Sequence, residues 1–319
     1  MKTTILDGFT LNPGDLVWHD LERLSDCSIY ERTAQEQIVE RCQNANIIMT
    51  NKVPISGETM DQLPNLEFIN VMATGYNVID TEAAKTKGIV VSNAAGYSTP
   101  SVVQHTFALL LELYNKTAAH STAAKDEMKW ASGNDFSFTL GSWHDLAGKT
   151  MGIVGFGTIG QKVAQVAKAF GMKVLANRRN MEGEDPEGVK YASIDELLSK
   201  ADVVSLHCPQ TAETYQMVNA DFINKMKKSA ILINTARGGL IDEEALAAAL
   251  NNGLITGAAL DVLNTEPPAK ENPLLAAKNC IITPHMAWAS KEARQRLMEI
   301  MIENTRAFLM GEPQNVVNE

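Results

Sequence analysis

The sequence predicts an α/β protein built from two doubly wound parallel-sheet domains. Three observations carry that expectation. The chain has 319 residues, more than one compact core usually holds. Short apolar runs alternate with helix-period stretches in two separate series, one in the first third and one from Lys149 onward. At the head of the second series, Gly155-Phe156-Gly157-Thr158-Ile159-Gly160 joins a strand to a helix.

In the first series 47–49, 68–72 and 88–91 read as buried strands, and 33–45, 57–63 and 81–87 as helices between them. A long apolar helix over 99–114 follows. Ser98 and Thr99 can cap its start, and Pro100 suits a first turn. The stretch 132–144 has no period and reads as a connection. In the second series the strands are 150–156, 172–176, 202–207, 230–234, 257–262 and 280–283. Helices fit at 158–170, 193–199, 221–226 and 242–251, and a last helix at 291–310 closes the chain. Ser193 followed by Glu196 is a capping-box pattern, and Asp242 places negative charge at a helix start. Two such series leave a cleft between two domains as the natural ligand site.

Composition narrows the function. Hydrophobic residues are 45% and charged residues 21%, which excludes a disordered chain. A net charge of −10 repels phosphate backbones and argues against nucleic acid as a partner. It leaves room for a small anionic substrate, because one buried arginine can set the local potential. The four cysteines, Cys27, Cys42, Cys208 and Cys280, form no C-x-x-C pair. With no secretory segment, they point to reduced thiols in a cytoplasm. The most apolar run, 107–113, is too short to span a bilayer, so no membrane partner is expected.

Four motifs carry chemistry. In the glycine run the first glycine makes the tight turn, the second admits a pyrophosphate and the third lets helix and strand pack. The helix N-terminus offers N–H groups to the phosphates. The next strand ends in Asn177-Arg178-Arg179 with no acid until Glu182. Arginines attract a 2′-phosphate where an acid would repel it, so the reading leans slightly to NADP over NAD. Arginines facing solvent at a loop start would read the same. The second motif, Asn234-Thr235-Ala236-Arg237-Gly238-Gly239, ends a strand and offers a guanidinium fork to a carboxylate, or a surface arginine beside a flexible turn. The third runs from Leu260-Asp261 to Glu266-Pro267; alone, its acids read as solvated loop residues. The fourth ends a strand in Thr283-Pro284-His285, where histidine suits proton transfer or a structural bond. Of the other histidines, His19, His105, His120 and His144 lack a comparable strand-end setting. His207 has one, but Cys208 and Pro209 beside it suggest a loop lining a cofactor. No further ligands at matching spacing support a metal site.

Together these motifs resemble the D-isomer-specific 2-hydroxyacid dehydrogenase family, over nearly the whole chain. The likeness includes Ala73–Asp80, Ser92–Thr99, Val102–Leu109, the glycine run, Asn234–Asp242, Leu260–Pro267 and Thr283–Ser290. It is greatest to the bacterial branch interconverting hydroxypyruvate and D-glycerate. The resemblance implies a Rossmann-type nucleotide domain, 99–288, inserted into a flavodoxin-like substrate domain of 1–98 and 289–319. It implies that Arg237 pairs with the substrate carboxylate, that His285 is general acid in reduction and general base in oxidation, and that Glu266 bonds His285 and favours its imidazolium form. Backbone N–H groups at Thr74, Gly75 and Tyr76 would hold the other carboxylate oxygen, with Trp288 helping to set side-chain room. Asp261 would orient the nicotinamide carboxamide. Thr158 and Ile159 would meet the pyrophosphate, and Asn177 with Arg178 and Arg179 the adenosine ribose or its phosphate. Thr106, His207, Cys208, Pro209, Thr214, Thr235, Ala236 and Ala287 complete the implied cofactor contacts. A homodimer is implied, with 113–146 embracing the partner and Trp130 and Trp143 as interface candidates; intramolecular packing would suit them equally.

Two features depart from the family pattern. Many relatives carry an acid where this chain has Asn177, which leaves the cofactor open. The chain ends soon after Met310, which points away from those phosphoglycerate dehydrogenases that carry extra regulatory domains. Three other readings compete: a D-lactate or broad 2-keto acid reductase, a dinucleotide-sensing corepressor-like protein, and a formate-dehydrogenase-like enzyme. Corepressors carry partner-binding extensions that are not evident here. Glu266 counts against the formate branch, which has glutamine in that role.

Overall fold

A computed structural model describes residues 1–142, 144–180 and 184–319, so Trp143 and Glu182 lie outside the described residues. The chain divides into two compact units, Met1–Ser98 with Ala289–Glu319, and Thr99–Trp288.

The first unit holds five parallel strands: β1 (Lys2–Ile5), β2 (Asp26–Ile29), β3 (Ile47–Thr50), β4 (Phe68–Val71) and β5 (Val90–Ser92). Their order is β2-β1-β3-β4-β5, the flavodoxin-like arrangement. β3 and β4 are buried throughout, as central parallel strands must be. β1 and β2 were not legible in the sequence. Half of β1 is threonine, yet Thr3 is buried because its hydroxyl pairs with Ser25 Oγ at 2.6 Å. β2 is an edge strand, exposed at alternate residues. The expected helix over 33–45 shrinks to Ile38–Cys42 behind a 3-10 turn, Gln35–Gln37. Thr33, the first residue of that expected helix, donates its hydroxyl to the Leu6 carbonyl, and Gln37 Oε1 accepts from Ala34 N.

The chain returns to this unit in the helix Lys291–Leu309, capped by Ser290. Phe308 stacks on Phe68 at 4.5 Å. Asn304 donates to Asn70 Oδ1 and the Asn93 carbonyl, and Asn70 donates to the Met301 carbonyl. Arg294 grips Asp15 with both guanidinium nitrogens, at 2.6 and 2.7 Å. These polar anchors are satisfied, as buried groups need to be.

The second unit holds seven parallel strands: β6 (Thr150–Val154), β7 (Lys173–Asn177), β8 (Val189–Tyr191), β9 (Val203–Leu206), β10 (Ile231–Asn234), β11 (Gly257–Leu260) and β12 (Cys280–Ile282). The order is β12-β11-β10-β9-β6-β7-β8. The chain starts in the middle at β6, builds outward to β8, then crosses to β9. That reversal makes a topological switch point between β6 and β9, where the strand ends open a crevice. One face is covered by helices Thr99–Asn115 and Thr158–Ala169 through Val103, Phe107, Leu110, Val163 and Ala167. The other is covered by Ile194–Lys200, Ala220–Lys225 and Glu243–Asn251. Ser193 caps as expected, accepting from Glu196 N, but the Glu196 carboxylate pairs with Lys190 and Lys200 instead of closing the box. An unanticipated helix, Thr117–Lys125, buries only Ala123, so it has no apolar stripe to read.

Candidate active site

The three glycines of the run play different parts. Gly155 has φ +96°, and a Cβ there would lie 2.4 Å from Cys208 N on the loop after β9. A Cβ on Gly160 would lie 2.3 Å from the Gly155 carbonyl. At Gly157 a Cβ would meet no protein atom within 4 Å. The first and third glycines are therefore required by the fold. The second keeps clear an open space at the N-terminus of Thr158–Ala169, whose first turn has no acid. A helix N-terminus of this kind offers free N–H groups and partial positive charge to an anion.

At the end of β7, Asn177 Nδ2 donates one of its two N–H groups to the Ala192 carbonyl. The Arg178 guanidinium lies 4.2 Å over the Tyr191 ring, and Arg179 is exposed. After β9, His207 Nε2 meets Ser205 Oγ at 2.8 Å, and withdrawal from water pulls the ring down to about 4. Thr214 Oγ1 donates to the Pro209 carbonyl and accepts from Thr211 N, closing that loop.

β10, β11 and β12 are neighbours, and in register Asn234 pairs with Leu260 and Leu260 with Ile282. Arg237, Glu266 and His285 therefore leave the same edge on three adjacent loops. Asn234 folds the first: its amide donates to the Arg237 carbonyl at 2.8 Å and accepts from Ala236 N. A Cβ on Gly238 would sit 1.9 Å from the Leu263 carbonyl, so only glycine lets this loop lie against the next. Arg237 is exposed. Glu266 Oε1 accepts from Leu263 N at 3.1 Å, and Oε2 lies 2.6 Å from His285 Nδ1. An ionised carboxylate only accepts, so Nδ1 carries the proton and Nε2 is the ring nitrogen left for other chemistry.

Asp261 is 1% exposed. Its Oδ1 accepts from the Thr283 hydroxyl at 2.6 Å and Met286 N at 2.9 Å, and Oδ2 accepts from Ala287 N at 2.8 Å. Burial alone would raise this carboxyl, but the bonds from His105, Thr283, Ala287 and Met286 outweigh it and hold it below the usual range. Of the bonds from Thr283, Met286 and Ala287, Oδ1 takes two and Oδ2 takes one. Thr235 and Thr106 are buried with their hydroxyls 3.1 Å apart, Ala236 and Trp288 are half-buried and Ala287 is buried.

In the smaller unit, Thr74 and Tyr76 are exposed and Gly75 half-buried on the loop after β4. Thr74 Oγ1 donates to the Ala94 carbonyl, and Asn93 donates to the Thr74 carbonyl, each at 2.7 Å.

His105 carries no strand-end signal in the sequence, yet it reaches the site around Asp261. It lies on Thr99–Asn115 with Nε2 3.0 Å from Thr283 Oγ1 and 3.4 Å from Asp261 Oδ1. Ser101, one turn earlier, donates to the Ala287 carbonyl. Their i, i+4 spacing in an apolar helix was the available signal. Among the described residues, no group of three or more His, Cys, Asp or Glu side chains could hold a metal ion. No described helix is long and apolar enough to cross a membrane.

Residues 107–287 match the family described as D-isomer specific 2-hydroxyacid dehydrogenase, NAD binding domain. The chain is 47% identical to a hydroxypyruvate reductase of Blautia hydrogenotrophica, covering 100% of both chains. Among solved structures it is similar to an acyclic imino acid reductase, Bsp5, in complex with NADPH and D-Arg (31% identity, TM-score 0.86, 99% of this chain and 100% of that one). It is likewise similar to a D-lactate dehydrogenase of Aquifex aeolicus complexed with NAD and lactic acid (30% identity, TM-score 0.84, 100% of this chain and 99% of that one).

Proposed function

Since the chain belongs to the D-isomer-specific 2-hydroxyacid dehydrogenase family, we propose that it interconverts hydroxypyruvate and D-glycerate, with glyoxylate as a second substrate. The observation that carries this reading is the 2.6 Å contact between His285 Nδ1 and Glu266 on the loops beside Arg237. Full-length identity to a hydroxypyruvate reductase supports the substrate.

In the proposed mechanism the Arg237 fork binds the substrate carboxylate and polarises the keto oxygen. Backbone N–H groups at 74–76, in the proposed substrate domain, take the other carboxylate oxygen. His285 Nε2 gives a proton to the keto oxygen in reduction and removes it from the hydroxyl in oxidation. Glu266 fixes the ring through Nδ1 and favours the imidazolium before reduction. The nicotinamide, when bound, supplies or accepts the hydride. Asp261 Oδ2 would take the carboxamide N–H. Thr158 and Ile159 N–H groups would take the pyrophosphate over Gly157. Asn177, Arg178 and Arg179 would meet the adenosine ribose, and the loop His207–Pro209 with Thr214 would flank the cofactor.

Either nicotinamide dinucleotide is proposed as cofactor, with a lean to NADP. Two arginines in place of an acid support that lean. A homodimer is proposed through the segment around Trp130; Met128, Trp130 and Phe136 expose 53, 57 and 91% of their surface. The proposed compartment is the cytoplasm, in keeping with four free cysteines.

The testing experiment is the initial rate of reduction of hydroxypyruvate, glyoxylate and pyruvate, each with NADH and with NADPH. Hydroxypyruvate should be preferred. Preference for pyruvate would favour the lactate-type reading, which the similarity to the lactic acid complex supports.

A further inference from the structure

The turn carrying His285 is held in an unusual shape. His285 has φ +52°, a left-handed conformation that a non-glycine residue keeps only when its surroundings over-determine it. Those surroundings are few. His285 N donates to the Asp261 carbonyl at 2.7 Å. Met286 N and Ala287 N donate to the two oxygens of the Asp261 carboxylate, and Thr283 Oγ1 donates to one of them. The turn from Thr283 to Ala287 is wound around one nearly inaccessible carboxylate.

Helix Thr99–Asn115 closes that arrangement from the other side. The Thr283 hydroxyl has one proton, and Asp261 takes it at 2.6 Å. Thr283 can then only accept from His105, so His105 carries a proton on Nε2, directed at Thr283 Oγ1 with Asp261 Oδ1 just beyond. Ser101 adds a second tie from the same helix, to the Ala287 carbonyl at 2.6 Å.

We infer that His105 is a positioning residue for the acid–base site: through Thr283 it aims the Asp261 carboxylate, and with it the turn that presents His285. The catalytic part of this inference rests on the proposed role of His285 as proton carrier. His105 touches neither His285 nor Arg237 in any hydrogen bond described above, so it acts through the turn. Its loss leaves the Thr283 hydroxyl without the donor that fixes it from the helix side, so the bond from Thr283 to the buried carboxylate is no longer held in one direction. Misplacement of a general acid by a fraction of an ångström is felt in turnover long before it is felt in binding.

The test compares wild type with His105→Leu, His105→Gln and Thr283→Val as full-length proteins. Steady-state reduction of hydroxypyruvate, nucleotide affinity by fluorescence, and amide hydrogen exchange over 283–288 are measured for each. His105→Leu and Thr283→Val should lower kcat about tenfold, as small misplacements do. KM and nucleotide affinity should change far less, and exchange at Met286 and Ala287 should quicken. Gln keeps an N–H donor at the same reach, so His105→Gln should recover most of the rate and protection. Wild-type kcat in His105→Leu, or equal losses in the Leu and Gln variants, would overturn the inference. If His105→Leu fails to fold, the contrast between His105→Gln and Thr283→Val decides it, and a wild-type-like Thr283→Val overturns it. Wild type inactive on every 2-keto acid would sink the proposed function instead, and the exchange rates alone would then judge the positioning.

Discussion

Glu266 divides its carboxylate between two donors: Oε2 lies 2.6 Å from His285 Nδ1, and Oε1 lies 3.1 Å from Leu263 N. A glutamine has one acceptor and one donor at its tip, so it cannot satisfy both. Glu266→Gln should therefore lower kcat while leaving nucleotide affinity intact. His285→Ala, which removes the acid itself, should cost more, about 10²–10⁴-fold in kcat. Steady-state rates beside nucleotide titrations check both, and equal activity of Glu266→Gln and wild type would break the assignment.

Arg237→Ala should raise KM for the keto acid and lower kcat, since one group serves binding and polarisation. Arg237→Lys keeps the charge but loses the planar fork, and should recover only part of the loss. Kinetics on the two variants separate charge from geometry.

Two glycine substitutions should fail in opposite ways. Gly238→Ala drives a Cβ to within 1.9 Å of the Leu263 carbonyl and should destabilise the fold by about 3 kcal/mol or prevent folding. Gly157→Ala meets no protein atom, so stability should change by about 1 kcal/mol or less. Its methyl would occupy the proposed phosphate cradle, and nucleotide affinity should fall about tenfold, or about 1.4 kcal/mol. Thermal melts with and without nucleotide distinguish these outcomes.

His207 makes stability depend on pH. Its folded value of about 4 lies below the ordinary 6.5. Between those values the unfolded chain binds the proton and the folded chain does not, so stability falls as pH drops through that window and levels off below it. His207→Gln should flatten this part of the slope. Urea midpoints for both proteins across that range measure the difference, and parallel curves would contradict it.

The exposed Met128, Trp130 and Phe136 should be covered by a second chain. Light scattering should give twice the mass of one chain, and Phe136→Glu should shift it toward a monomer. A wild-type monomer would contradict the proposed dimer.

Some of this was legible in the sequence and some was not, for physical reasons. Central parallel strands such as Ile231–Asn234 are continuous apolar runs, so β10 and the arginine that follows it stand out. The glycine run is legible because two of its three glycines answer to hard contacts. β1 was hidden because buried threonines look polar until their partners are known. The pairing of Glu266 with His285 spans 19 residues, and no spacing rule announces it. His105 was passed over because its value lies in a contact 178 residues away, to a loop that only the folded sheet brings near.

Incubation of the protein with hydroxypyruvate and reduced nucleotide, followed by chiral analysis of the glycerate formed, tests the proposed reaction itself. The proposed chemistry gives D-glycerate alone, formed in step with nucleotide oxidation and lost in His285→Ala. L-glycerate, or no glycerate from a protein that binds the nucleotide, would contradict it.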